Sequence, residues 1–194
     1  MLKNLFFVIL SLFAATSYAQ EIQEKKENPQ LQFWNELSKH CGKAFAGKII
    51  TEPVPKDFQD QELKMHVIAC SDNQIKIPFV VGENRSRTWV FTRQESGIQL
   101  KHDHRHEDGS PDKVTMYGGT SSNTGFKNLQ YFPADQETAD LIPYAAGNVW
   151  WVTVSDSTFT YNLRRVNNDS HITVEFDLTK EIEAPEIPWG WGEE

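Results

Sequence analysis

The chain is short of cysteine, of positive charge and of long apolar segments, and each shortage removes a class of protein. Only two cysteines occur in 194 residues, Cys41 and Cys70, and they lack the Cys-x-x-Cys spacing of a reactive pair. An isolated pair of this kind reads as one disulfide, the bond of an oxidising compartment. Lysine and arginine number 19 against 27 acidic residues, a formal net charge of −8. That balance repels polyanions and anionic lipid surfaces, so nucleic acid is not an expected partner. No apolar run approaches the ~20 residues of a membrane-spanning helix. The chain also has no Gly-x-Ser-x-Gly elbow, no phosphate loop and no His-Glu-x-x-His. Without such motifs an enzyme is the less favoured reading, and no cofactor is called for.

What is present begins with a leader. Lys3 precedes an apolar run over residues 5–15, and Ser17 and Ala19 stand at the −3 and −1 positions of a cleavage site before Gln20. This order is that of a secretory signal peptide, so residues 1–19 are expected to be removed and the protein to be secreted or periplasmic. Loss of Lys3 leaves 18 basic against 27 acidic residues, a net charge of −9. Residues 20–30 are polar and read as a disordered lead-in, residues 31–182 as one domain, and residues 183–194 as a Pro/Trp-rich tail.

Within the domain, Leu31, Phe33, Trp34 and Leu37 recur at helical spacing and predict one short helix that ends before Gly42. Thereafter the period is two. Strands are predicted at 43–51, 62–70, 74–81, 85–93, 98–106, 113–117, 127–132, 148–154, 158–166 and 172–178, mostly separated by hairpin-length turns. A second short helix is expected near 134–141, where Ala-Asp-Gln-Glu-Thr can cap and start one. The fold expected is all-β: about ten antiparallel strands in an up-and-down barrel. A β-sandwich is the competitor, disfavoured by the scarcity of long crossovers.

The helix bearing Phe33, Trp34 and Leu37, the following Gly-Lys-Ala-Phe-Ala-Gly-Lys strand (residues 42–48) and the run of hairpins resemble the calycin barrels. They are most similar to ten-stranded ones such as the fatty-acid-binding proteins and the nitrobindins. Residues 85–89 and 101–109 also resemble stretches in a group of secreted bacterial proteins, from which no activity carries over. The calycin likeness implies a ligand held in the barrel mouth, and the nitrobindin likeness raises His104 as an axial haem ligand.

The most unusual stretch is Lys-His-Asp-His-Arg-His-Glu-Asp at residues 101–108. Strand geometry aligns His102, His104 and His106 with Ile98 and Leu100, so the imidazoles should face the barrel interior. If Glu95 and Ser96 form the tip of the preceding turn, Phe91 lies opposite Leu100, Trp89 opposite His102, Arg87 opposite His104 and Arg85 opposite His106. Two chemistries suit such a face. A metal could be held by His102, His104 and His106, although no further ligand is evident and Arg87 would repel a cation. An anion suits the arginines better, and Arg85, Arg87, Trp89, His102, His104 and His106 are the candidate site for a small amphipathic, anionic ligand. The bland alternative is a structural network, or an interaction module with no small ligand, in which Glu83, Glu107, Asp108 and Asp112 neutralise the arginines. The pattern leaves the oligomeric state open.

Overall fold

Alternation of apolar and polar residues becomes strand pairing along almost the whole chain. The computed structural model describes residues 28–166, 168 and 170–191, so the leader and most of the lead-in lie outside the described residues. Helix α1, Pro29–Ser38, starts where Asn28 accepts hydrogen bonds from Gln30 N (3.0 Å) and Leu31 N (3.1 Å), with Pro29 as its first residue. A side-chain cap followed by proline satisfies the free amides of a first turn and presets its dihedral.

Eleven strands follow among the described residues: β1 Ala44–Ile49, β2 Leu63–His66, β3 Ala69–Cys70, β4 Gln74–Val81, β5 Asn84–Gln94, β6 Gly97–His104, β7 Tyr117–Thr120, β8 Leu129–Pro133, β9 Asn148–Val154, β10 Thr158–Arg165 and β11 His171–Ile182. Ten of them run β7-β6-β5-β4-β2-β1-β11-β10-β9-β8, and β3 pairs on β4 beside that path. The result is a nearly closed antiparallel barrel, compatible with a calycin-like fold. Helix α2, Gln136–Leu141, lies within the predicted span.

Two elements depart from the sequence expectation: the strand expected at 62–70 breaks into β2 and β3, and the one expected at 113–117 is displaced. Residues 113–116 are not a strand: Val114 N donates to Asp112 Oδ1 (2.8 Å), and Met116 has a φ of 55°. The strand comes later and passes through Gly118 and Gly119, which carry no β-forming side chain to predict it. Glycine is required there because a Cβ on Gly118 would strike the Leu100 carbonyl and one on Gly119 the Pro133 carbonyl. This close approach lets α2 seal the seam between β7 and β8. Asp135 N donates to Gly118 O (3.0 Å), and Gly118 N donates to Thr138 Oγ1 (2.7 Å). Lys101, nearly buried on the outer face of β6, reaches Asp135 (2.6 Å) and Glu137 (2.8 Å) across the same seam.

The barrel interior is filled at one end and open at the other. Phe33, Trp34 and Leu37 of α1 are buried at the filled end, where Gln30 Nε2 donates to Ser121 Oγ (3.0 Å). Phe45, Phe91, Phe132, Trp150, Phe159 and Phe176 are 0–1% exposed in the centre. Each such ring contributes about 2 to 3 kcal/mol by burial. Cys41 and Cys70 form a disulfide that ties the end of α1 to β3, with their Cα atoms 6.2 Å apart.

Candidate functional site

Strands β5 and β6 pair as Arg87 with His104, Trp89 with His102 and Phe91 with Leu100. Alternation then turns all six side chains to the interior, with the apolar pair deepest and the charged pair nearest the open end. A cavity of about 740 Å³ opens there. Its walls include Arg87, Trp89, His102, His104, Tyr117, Tyr161 and Arg165, and the segment bearing Pro53, Pro55 and Phe58 forms part of its rim.

Aromatic rings make the floor. Phe79 stacks on Trp89 at 4.8 Å and 14°, and Trp89 on Tyr161 at 4.4 Å and 16°. Because Phe79, Trp89 and Tyr161 belong to β4, β5 and β10, the stack crosses the barrel rather than lining one wall. Beside it, His102 lies flat against Tyr117, with ring centroids 4.7 Å apart.

The polar groups form a defined chain. His102 Nδ1 lies 2.9 Å from the Tyr117 carbonyl, which can only accept, so this nitrogen carries the proton and Nε2 accepts from the Tyr161 hydroxyl at 2.7 Å. Burial pushes His102 down to about 3, which keeps the imidazole neutral and agrees with that tautomer. His104 is pushed down to about 4, by burial first and then by the adjacent Arg87 charge. Tyr117 Oη sits 3.0 Å from His104 Nε2, and burial raises that phenol to about 12. Both imidazoles and the phenol are thus uncharged at neutral pH.

Arg87 is different. Its Nη1 donates to Asn84 Oδ1 at 3.0 Å, and among the described residues no carboxylate lies within 4.0 Å of it. Burial draws the guanidinium below its ordinary value, while Tyr117 and Asp57 act in the other direction. A half-buried guanidinium facing an open cavity without a counter-ion has donors left to offer an acidic group.

The other sequence candidates lie elsewhere. Arg85 does not line the cavity: the β4–β5 register shifts between the Phe79–Arg87 and Val81–Asn84 pairs, which interrupts the alternation, and Arg85 pairs with Glu186 at 2.6 Å and donates to the Ile187 carbonyl at 3.1 Å. The tail therefore folds back here, with Trp189 N donating to Arg85 O (3.3 Å) and Lys76 Nζ 4.5 Å from the Trp191 ring centroid. His106 is exposed and 4.0 Å from Asp112. A tight turn, closed by Gly109 N to His106 O (2.9 Å) and His106 N to Ser110 O (2.8 Å), carries it off the ladder before it can meet Arg85. Of the acids expected to neutralise the arginines, Glu83, Glu107 and Asp108 are exposed and Asp112 lies 4.0 Å from His106, while Asp103 holds Arg105 (3.0 Å).

The metal reading loses its geometry by the same facts. Both His102 nitrogens are already hydrogen-bonded, His106 is turned away, and among the described residues no three His, Cys, Asp or Glu side chains gather as a metal site.

Tyr117, Tyr161, Phe58, Phe79 and Arg165 were not singled out from sequence. Parity alone could have found three of them, since Phe79 continues Ile75 and Ile77, and Tyr161 and Arg165 continue Phe159. Phe58 lies outside any strand and left no periodic trace. Comparison with protein-family models, with curated proteins and with solved structures gives no match.

Proposed function

We propose that this barrel is a binding protein for a small amphipathic anion held in its open mouth. The observation that carries the proposal is Arg87, a half-buried cation on the cavity wall with an amide rather than a carboxylate as its side-chain partner. The ligand's acidic group accepts from the free edge of the Arg87 guanidinium, and His104 and Tyr117 supply neutral polar contacts beside it. Its apolar body meets the edge of Trp89, whose faces Phe79 and Tyr161 cover, and rests against Leu163, Ile172 and Val174. The pairing is selective because a charge-assisted hydrogen bond in a half-enclosed site is worth about 1.5 to 3 kcal/mol.

The test is Arg87→Met. Removing the guanidinium is expected to weaken a carboxylate probe such as 2-naphthoate by about tenfold or more, read by titration calorimetry. Folding stability in urea should change by less than about 1 kcal/mol, since no buried carboxylate is stranded and Asn84 Oδ1 keeps Ser86 N (3.0 Å) and Ser86 Oγ (2.6 Å). Wild-type affinity in this variant would refute the assignment.

Export belongs to the same proposal. The Cys41–Cys70 bond is of the kind that persists outside the reducing cytoplasm. Intact mass of the non-reduced protein from its natural host should begin at Gln20; a retained Met1 would contradict export by cleavage.

A further inference from the structure

The cavity is a cup, and its depth below the anion seat is short. Arg87 and Trp89 are two residues apart on β5, which places the seat roughly 7 Å above the ring stack along the strand. That stack is closed: Trp89 is 2% exposed, Phe79 4% and Tyr161 9%. Beneath it Ile77, Phe91, Leu100, Phe159 and Phe176 are fully buried, and α1 covers the far end. A chain whose carboxylate sits on Arg87 cannot descend into the barrel without opening a close-packed core. It has to lie across the mouth or leave it.

The mouth is lined by rings. Phe58 continues the floor stack toward the rim, 6.1 Å from Phe79 at 24°, and Tyr117 stands on the Arg87 side. Rings of this kind favour a flat partner that can meet their faces and edges over a flexible chain that must be ordered on binding. The lining carries two guanidinium groups, Arg87 and Arg165, and one carboxylate, Glu52, while the imidazoles of His102 and His104 are neutral, so the excess is one positive charge and one negative charge is matched.

Resting on the anion-seat reading above, we infer that the ligand class is the compact aromatic monocarboxylate, of one or two fused rings, and not the long-chain fatty acid. The carboxylate occupies Arg87 and the ring system lies across the edges of the Phe58, Phe79, Trp89 and Tyr161 stack, whose inner faces are already paired.

The experiment compares 2-naphthoate, octanoate and palmitate on the full mature protein by titration calorimetry, each below its micelle concentration, with Arg87→Met alongside. The expected order puts 2-naphthoate at least about tenfold tighter than octanoate, with palmitate within about tenfold of octanoate because its added methylenes remain in water. Eight further buried methylenes would instead raise palmitate affinity by roughly five orders of magnitude. That result, if abolished by Arg87→Met, overturns the compact class and leaves the anion seat standing. Failure of all three carboxylates to bind in an Arg87-dependent way overturns the seat itself, and the ligand class with it.

Discussion

Acidification from pH 7 to pH 4.5 is expected to remove about 5 kcal/mol of folding stability through His102 and His104 alone. In the folded barrel burial holds these imidazoles at about 3 and about 4. In the unfolded chain each takes its proton near pH 6.5. The unfolded state therefore binds more protons over the window between these values. Stability is whole above about pH 6.5, falls as the pH drops through that window, and levels off once the folded imidazoles also protonate. The groups facing them give no relief: Lys101 and Arg87 add positive charge, and Asp103 and Asp112 only partly offset it at His104. Urea midpoints at pH 7.0, 5.5 and 4.5 should show the loss, and His102→Gln and His104→Gln should each flatten the profile by about half. A slope that neither substitution changes would show that other groups govern it.

Breaking the disulfide should cost about 3 to 4 kcal/mol. Cys41 and Cys70 are 29 residues apart, and the loop between them holds β1, β2 and the rim segment with Phe58. Its closure restricts the unfolded chain by an amount that grows with the logarithm of loop length. The double variant Cys41→Ala/Cys70→Ala should unfold at correspondingly lower urea, and a reductant should destabilise the wild type but not the variant. If reductant leaves the wild-type midpoint unmoved, the bond contributes nothing to stability.

Legibility in the sequence followed the strength of local periodicity. The last strand reads plainly, because Ile172, Val174, Phe176 and Leu178 alternate with polar residues and all four turn inward. The β5–β6 register was also readable, since Glu95 and Ser96 mark one short turn and fix every pair back to Arg87 and His104. Beyond those residues the inference failed for a physical reason. His106 continues the alternation in sequence, but Gly109 at a φ of 82° allows a turn that ends the ladder two residues earlier. The pattern of types cannot show where pairing stops. Strand β7 was displaced in the expectation because Gly118 and Gly119 are selected by a close approach of backbones, which leaves no signal in hydrophobic period. Tail contacts were invisible for a related reason: Arg85 lies where the β4–β5 register shifts and pairs with Glu186, a partner 101 positions away that no local rule connects.

That difference between Arg85 and Arg87 is also the sharpest handle on function. Two arginines in one Arg-Ser-Arg run, where the β4–β5 register shifts between Asn84 and Arg87, have different surroundings, one paired with a carboxylate of the tail and one lining the cavity beside an amide. Nuclear magnetic resonance of the two guanidinium groups during titration with 2-naphthoate measures the central claim directly. The prediction is a saturable shift at Arg87 and at the Trp89 indole, with intermolecular contacts from the naphthalene ring to Trp89 and Phe58, and none at Arg85. Saturable shifts at Arg85 with Arg87 unmoved would place the anion outside the barrel and contradict the account.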